Sequence, residues 1–242
     1  MLLAIDAGNS NIKLALFEGR ELRAQWRLTS SELDQLANMN PQDLEAIVIA
    51  SVVPAVNRTL TRIAEDHFKL TPVFVDHTTP TGLKILYDSP AELGADRIVD
   101  AVAAVEKYGT PCIVVDFGTA TTFNAINAAR EFLGGAISPG LMTCSEALFA
   151  RAAKLPRVKF ERPERVIASS TVAAIQSGLY HGYAGLVDGV IEKMIAEMKV
   201  TPRVIATGGL AQAIAPASQY IEHVDDTLTL EGLRLVYERL KT

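Results

Sequence analysis

Cysteine is scarce in this sequence. Cys112 and Cys144 are the two in 242 residues, neither clustered like zinc ligands nor dense enough for a secreted disulfide scaffold. That excludes a stapled extracellular fold and fits a reduced cytoplasm. Basic charge is not in excess either: 23 Lys and Arg face 28 Asp and Glu, a net charge of -5, so no broad positive field exists for a nucleic-acid backbone or an anionic membrane. No apolar run approaches membrane-spanning length, and the opening LLAI meets Asp6 too soon for a signal-peptide core. The expectation is a chain neither exported nor embedded. None of the four histidines is paired at metal-ligand spacing, and no Ser-x-Gly elbow or Cys–His grouping stands out. The phosphate loop ending in Lys-Ser or Lys-Thr and a convincing dinucleotide fingerprint are missing too.

What is present begins with a repeat. IDAGNSNIKLALF at the start of the chain recurs in outline as VVDFGTATTFNAI from Val114 to Ile126. Each copy runs from an apolar strand into an aspartate, Asp6 or Asp116, then glycine, small polar residues and a second apolar run. A strand ending in Asp-x-Gly sets a carboxylate at a cleft, and the glycine lets backbone N–H groups approach an anion. Phosphate with a bound cation suits that arrangement. The alternative for either copy alone is an ordinary tight turn, and the pairing of the two favours function.

The rest of the chain repeats as well, and at 49% hydrophobic it has ample material for a core. Alternating or apolar runs predict strands at residues 2–5, 13–17, 21–28, 46–51 and 72–76, with helices over 30–38 and 56–67 and, within the segment 90–107, a helix that begins at Asp96 and Arg97. After the break at Gly109-Thr110-Pro111, strands follow at 112–115, 121–127, 131–136 and 203–207, and helices at 142–154 and 171–197. This order predicts an α/β protein of two duplicated mixed-sheet domains, residues 1–108 and 109–242, with a cleft between them.

Four places carry candidate chemistry. Around Asp6, the residues Ala7, Gly8, Asn9, Ser10, Asn11, Ile12 and Lys13 supply the parts a cation-bound triphosphate uses: oxygen ligands, backbone donors and one ammonium. In the second copy, Asp116, Gly118, Thr119, Thr121 and Thr122 offer hydroxyls in place of amides. Gly94-Ala95-Asp96-Arg97 sets an acid beside a base, fitting a proton acceptor for a substrate hydroxyl and an anchor for a substrate carboxylate; helix capping by Asp96 is the plain alternative. Thr207-Gly208-Gly209 after RVIAT allows a base or ribose to lie against backbone, or is simply a turn.

Taken together, DAGNSNIKLALF, ASVVP, YDSPAELGADRIVDAVAA, VVDFGTATTF, GGAISPGL, LPRV, TVAAIQSGLYHGYAGLVDG, TGGLA and LTLEGLRLVYE resemble the type III pantothenate kinases of bacteria. These belong to the acetate kinase, sugar kinase, Hsp70 and actin superfamily. The resemblance implies duplicated ribonuclease H-like (actin-like ATPase) domains with mixed five-stranded sheets flanked by helices. It implies transfer of the ATP γ-phosphate to pantothenate as the first step of coenzyme A synthesis. Asp6 to Lys13 would bind ATP phosphates and Mg2+, Thr119 would touch ATP, and Asp116 would hold a monovalent cation, K+ or NH4+. Asp96 would be the proton acceptor. Pantothenate would lie against Tyr87, Gly94, Ala95, Asp96, Arg97 and Thr171, at the interface of a cytoplasmic homodimer, with no nucleic acid or membrane involved. Two alternatives stay open: another phosphotransferase of the superfamily, and a non-catalytic regulatory role, since relatives are also called Bvg accessory factors. The sequence departs from the family pattern at Ala168 and Ser170, where glycine and asparagine are usual, and at Asn124, where aspartate is common.

Overall fold

The computed structural model describes residues 1–39, 41 and 43–241. It contains two compact units, Met1–Lys107 together with the chain from Thr227 onward, and Tyr108–Asp226.

In the first unit, β1 (Leu2–Ala7), β2 (Ile12–Glu18) and β3 (Glu21–Leu28) form an antiparallel meander, and β4 (Ala46–Ser51) and β5 (Val73–Phe74) extend it in parallel. The sheet order is β3-β2-β1-β4-β5. Central β1 is buried at every position, as expected for a strand covered on both faces. One face, carrying Leu3, Ile5, Leu14, Ile47 and Ile49, packs on a 3-10 helix (Ser30–Asn38) and on α1 (Pro54–Asp66). Helix α1 presents Val56, Leu60, Ile63 and Ala64, an i, i+4, i+7, i+8 stripe, and has proline at its first position. A short strand β6 (Lys84–Ile85) and a 3-10 turn (Pro90–Glu92) lead into α2 (Ala95–Tyr108).

The second unit repeats the plan. Strands β7 (Cys112–Phe117), β8 (Ala120–Ile126) and β9 (Glu131–Pro139) form the meander, and β10 (Arg203–Thr207) and β11 (His223–Val224) add in parallel. These five strands lie in the order β11-β10-β7-β8-β9, the same succession as in the first unit. Between β9 and β10 the chain forms α3 (Leu141–Arg151) and the long α4 (Thr171–Met198); α5 (Ala211–Ile214) follows β10. Ile113, Val115, Phe117 and Phe123 on one sheet face meet Tyr183, Val187 and Ile191 of α4. Among the described residues, no helix is long and apolar enough to cross a membrane.

The helix expected to begin at Asp96 and Arg97 starts one residue earlier, at Ala95, after an extended Leu93. One expectation changes. The final helix, α6 (Leu228–Leu240), groups with the first unit, although its sequence position had assigned it to the second. Its buried Leu230, Leu233 and Val236 place it against β1, β2 and β4. Contact with α2 is close enough that a methyl on Gly232 would overlap the Val99 carbonyl. Gly232→Ala is therefore expected to destabilise the protein by about 1–3 kcal/mol, about 2–4 °C of melting temperature per kcal/mol in a chain of this size. Thermal melting checks this.

Candidate active site

Asp6 is the penultimate residue of β1, buried between β2 and β4, where it is in register with Lys13 and Ala50. Its Oδ2 lies 3.8 Å from Lys13 Nζ. The turn between the strands closes through Gly8 N–H donating to the Asn11 carbonyl at 3.1 Å. Ala7 and Ile12 are buried and anchor the hairpin, while Asn9, Ser10 and Asn11 are exposed. Two apolar anchors thus hold a polar tip out beside a carboxylate–ammonium pair.

The end of β4 braces this hairpin. Val52 N–H donates to the Ala7 carbonyl at 3.2 Å, and Ser51 Oγ donates to Asn57 Oδ1 at 2.5 Å while accepting from Val53 N–H at 3.2 Å. Val52 also packs toward Gly94: a Cβ there would sit 3.4 Å from Val52 Cγ1 and only 2.5 Å from Asp96 Oδ1. The bare glycine lets the Asp96 carboxylate fold back over the helix start. The roles of Ser51, Val52 and Asn57 are absent from the sequence reading, although ASVVP is among its motifs.

Asp96 is not the helix cap. Ile98 N–H bonds to the Gly94 carbonyl at 3.2 Å, which makes Asp96 an acid inside the first turn of α2, where the helix dipole favours it. Its Oδ1 accepts from Arg97 N–H at 2.8 Å. Burial nevertheless raises its pKa above the usual carboxylate value, against the opposing pull of the Arg97 N–H, the Arg97 charge, its own N–H and Lys13. Lys13 therefore acts on both Asp6 and Asp96. Arg97 is buried, donates from Nη1 to the Tyr87 hydroxyl at 3.4 Å, and holds its guanidinium 5.5 Å from the centre of the Tyr87 ring. Asp6 to Lys13, Tyr87 and Gly94 to Arg97 all belong to the first unit.

Asp116, Thr119 and Thr171 belong to the second. The β7–β8 turn is closed by Gly118 N–H donating to the Ala120 carbonyl at 3.1 Å. The Thr119 carbonyl accepts from Gly140 N–H at 3.0 Å and from Thr143 Oγ1 at 2.8 Å, which pins the turn to the start of α3. Asp116 is half-buried and in register with Thr122 on β8 and Thr207 on β10. Gly208 (φ +92°) brings backbone against it, since a Cβ would overlap Asp116 Oδ1 and lie 2.6 Å from Phe117 N.

Two of the departures from the family pattern have a place in the hydrogen bonding. Ser170 caps α4, its Oγ accepting from Ala173 N–H at 3.3 Å, a role serine and asparagine fill about equally well. Exposed Thr171 is the first residue of that helix. Asn124 is fully buried on β8 and donates from Nδ2 to Thr122 Oγ1 at 3.3 Å.

Comparison with known proteins agrees in both fold and sequence. The chain resembles an Arthrobacter inorganic polyphosphate/ATP-glucomannokinase (TM-score 0.54, 13% identity, 100% of this chain and 99% of the other). It also resembles component A of the (R)-2-hydroxyglutaryl-CoA dehydratase of Acidaminococcus fermentans (TM-score 0.58, 14% identity, 100% and 99%). At such identities the likeness concerns the fold, which is the duplicated ribonuclease H-like arrangement of actin-like ATPases and sugar kinases. In sequence, the type III pantothenate kinase of Geobacter sulfurreducens is 50% identical over 252 aligned positions, covering 99% of each chain. The sequence profile of the type III pantothenate kinases matches residues 2–193. With acid, base and paired hairpins set on this duplicated fold, the chain belongs to the type III pantothenate kinase family.

Proposed function

We propose that this chain transfers the γ-phosphate of ATP to the primary hydroxyl of pantothenate, giving 4'-phosphopantothenate and ADP, the first step towards coenzyme A. The observation that carries this reading is the adjacency of Asp96, a carboxylate with a raised pKa, and the buried Arg97 guanidinium, in the same unit as the Asp6–Lys13 pair. Asp96 takes the hydroxyl proton as the new O–P bond forms. Arg97 holds the substrate carboxylate through paired N–H donors, Tyr87 packs on the substrate, and Gly94 and Ala95 let it approach the backbone. Phosphoryl transfer asks a protein chiefly to align an oxygen nucleophile and spread negative charge, so no cysteine or histidine is needed.

The donor groups fit the ions this reaction calls for. Mg2+ keeps several waters and takes phosphate oxygens, so one carboxylate, Asp6, suits it. Lys13, the exposed Asn9, Ser10 and Asn11, and the backbone of Ala7, Gly8 and Ile12 face the ATP phosphates, with Thr119 a further contact. Asp116, approached by the bare Cα of Gly208, suits a monovalent cation, K+ or NH4+. When bound, the two cations neutralise charge on the phosphates. Thr171 contacts pantothenate from the neighbouring copy of a homodimer. Exposed Ile137 (62%), Val166 (65%) and Ile167 (91%) in the second unit support such an interface. The free thiols of Cys112 and Cys144 support a cytoplasmic setting.

Incubation with ATP, Mg2+, K+ and a panel of small alcohols, followed by mass spectrometry, tests the acceptor. Pantothenate is expected to be phosphorylated in preference to the others. Phosphorylation of other alcohols but not pantothenate overturns the reading.

A further inference from the structure

Thr207 stands out among the buried polar groups of the second unit. It is 1% exposed, and its Oγ1 has no hydrogen-bond partner. Valine has the same shape, equal strand propensity and no polar atom to satisfy, so an orphaned hydroxyl in this position is costly without a ligand.

The register says where the hydroxyl lies. Val204 and Ala206 of β10 enter the core beside Ile113 and Val115, their partners on β7. Strand alternation then puts Thr207 on the opposite face, beside Asp116, with which it is paired. Thr122 and Asn124 share that face through their partners Asp116 and Val114, and Asn124 Nδ2 is directed to Thr122 Oγ1. Gly208 then carries the backbone in close against the Asp116 carboxylate. A hydroxyl oxygen that does not donate to the carboxylate in register with it leaves both as acceptors on one face of the sheet. An anion would be repelled by Asp116, whereas a hard cation takes neutral and charged oxygens together.

We infer that Thr207 Oγ1 is a second side-chain ligand for the monovalent cation at Asp116. This rests on the cation reading of Asp116 given above, and it assigns to Thr207 a role distinct from any turn or nucleotide-base contact in the TGG motif. Valine at this position would keep the packing and remove the ligand, while serine would keep the hydroxyl.

The test follows K+-specific thermal stabilisation of the full-length protein, titrating KCl against tetramethylammonium chloride at constant ionic strength, with no nucleotide or acceptor present. Thr207→Val is expected to raise the K+ concentration for half-maximal stabilisation about 10-fold or more, and Thr207→Ser to leave it near wild type. Thr207→Ala, which also lacks the hydroxyl, should match Thr207→Val and serves if the valine variant does not fold. An unchanged midpoint in both hydroxyl-less variants, with the response abolished in Asp116→Asn, rejects Thr207 and leaves the Asp116 site standing. Absence of any K+-specific response in the wild type overturns both.

Discussion

Asp96→Asn is expected to lower kcat by about 10²–10⁴-fold, the usual worth of a positioned general base, while leaving the protein at least as stable. The two effects share one cause. Burial lifts the Asp96 pKa more than the Arg97 N–H, the Arg97 charge and Lys13 bring it down. A carboxyl group with a folded-state pKa above its unfolded value gives stability that is fully present below the unfolded pKa and is lost as pH rises through the folded pKa. At neutral pH the ionised Asp96 is therefore a net cost, one that the asparagine does not incur. The amide oxygen of the substituted side chain can still accept from Arg97 N–H, as Asp96 Oδ1 does at 2.8 Å, so the local backbone is kept. In melting curves the variant's advantage should be absent in acid and grow towards neutral pH. A variant less stable than wild type at neutral pH would contradict this account of the site.

Arg97→Lys is expected to raise the KM for pantothenate about 10- to 100-fold, the worth of a charge-assisted hydrogen bond of about 1.5–3 kcal/mol. The KM for ATP should stay within about 3-fold, a change below 1 kcal/mol. Lysine keeps the charge, but an ammonium cannot lie 5.5 Å from the centre of the Tyr87 ring and present two parallel donors to a carboxylate at once. Tyr87→Phe keeps the ring and loses only the hydroxyl that accepts from Arg97 Nη1 at 3.4 Å, so its effect should be smaller. Steady-state kinetics with each substrate varied in turn measures the split. Equal rises in both KM values would show that Arg97 serves the whole site rather than the acceptor.

Much of this is legible in the sequence itself. β3, β4 and β10 begin and end at the residues their hydrophobic patterns predict, because each is a clean run bounded by turn or polar residues. Local pattern also marks the two Asp-x-Gly hairpins. It fails where the deciding contact is distant in sequence. The apolar spacing of Leu230, Leu233 and Val236 signals a helix, yet nothing local says that it joins the first unit; that follows from its fit on β1, β2 and β4. The start of α2 beside Asp96 is legible, whereas the room that Gly94 leaves for the Asp96 carboxylate is seen only in the folded chain. The proximity of Thr207 and Gly208 to Asp116 depends on the parallel register of β10 with β7. No turn signal encodes that.

Release of ADP by the wild-type protein, followed with pantothenate present or omitted and with K+ present or replaced by tetramethylammonium, examines acceptor, donor and cation in one experiment. Phosphoryl transfer to pantothenate with a cation at Asp116 predicts rapid release only when both pantothenate and K+ are supplied. Release at the same rate without pantothenate, or one indifferent to K+, would contradict it.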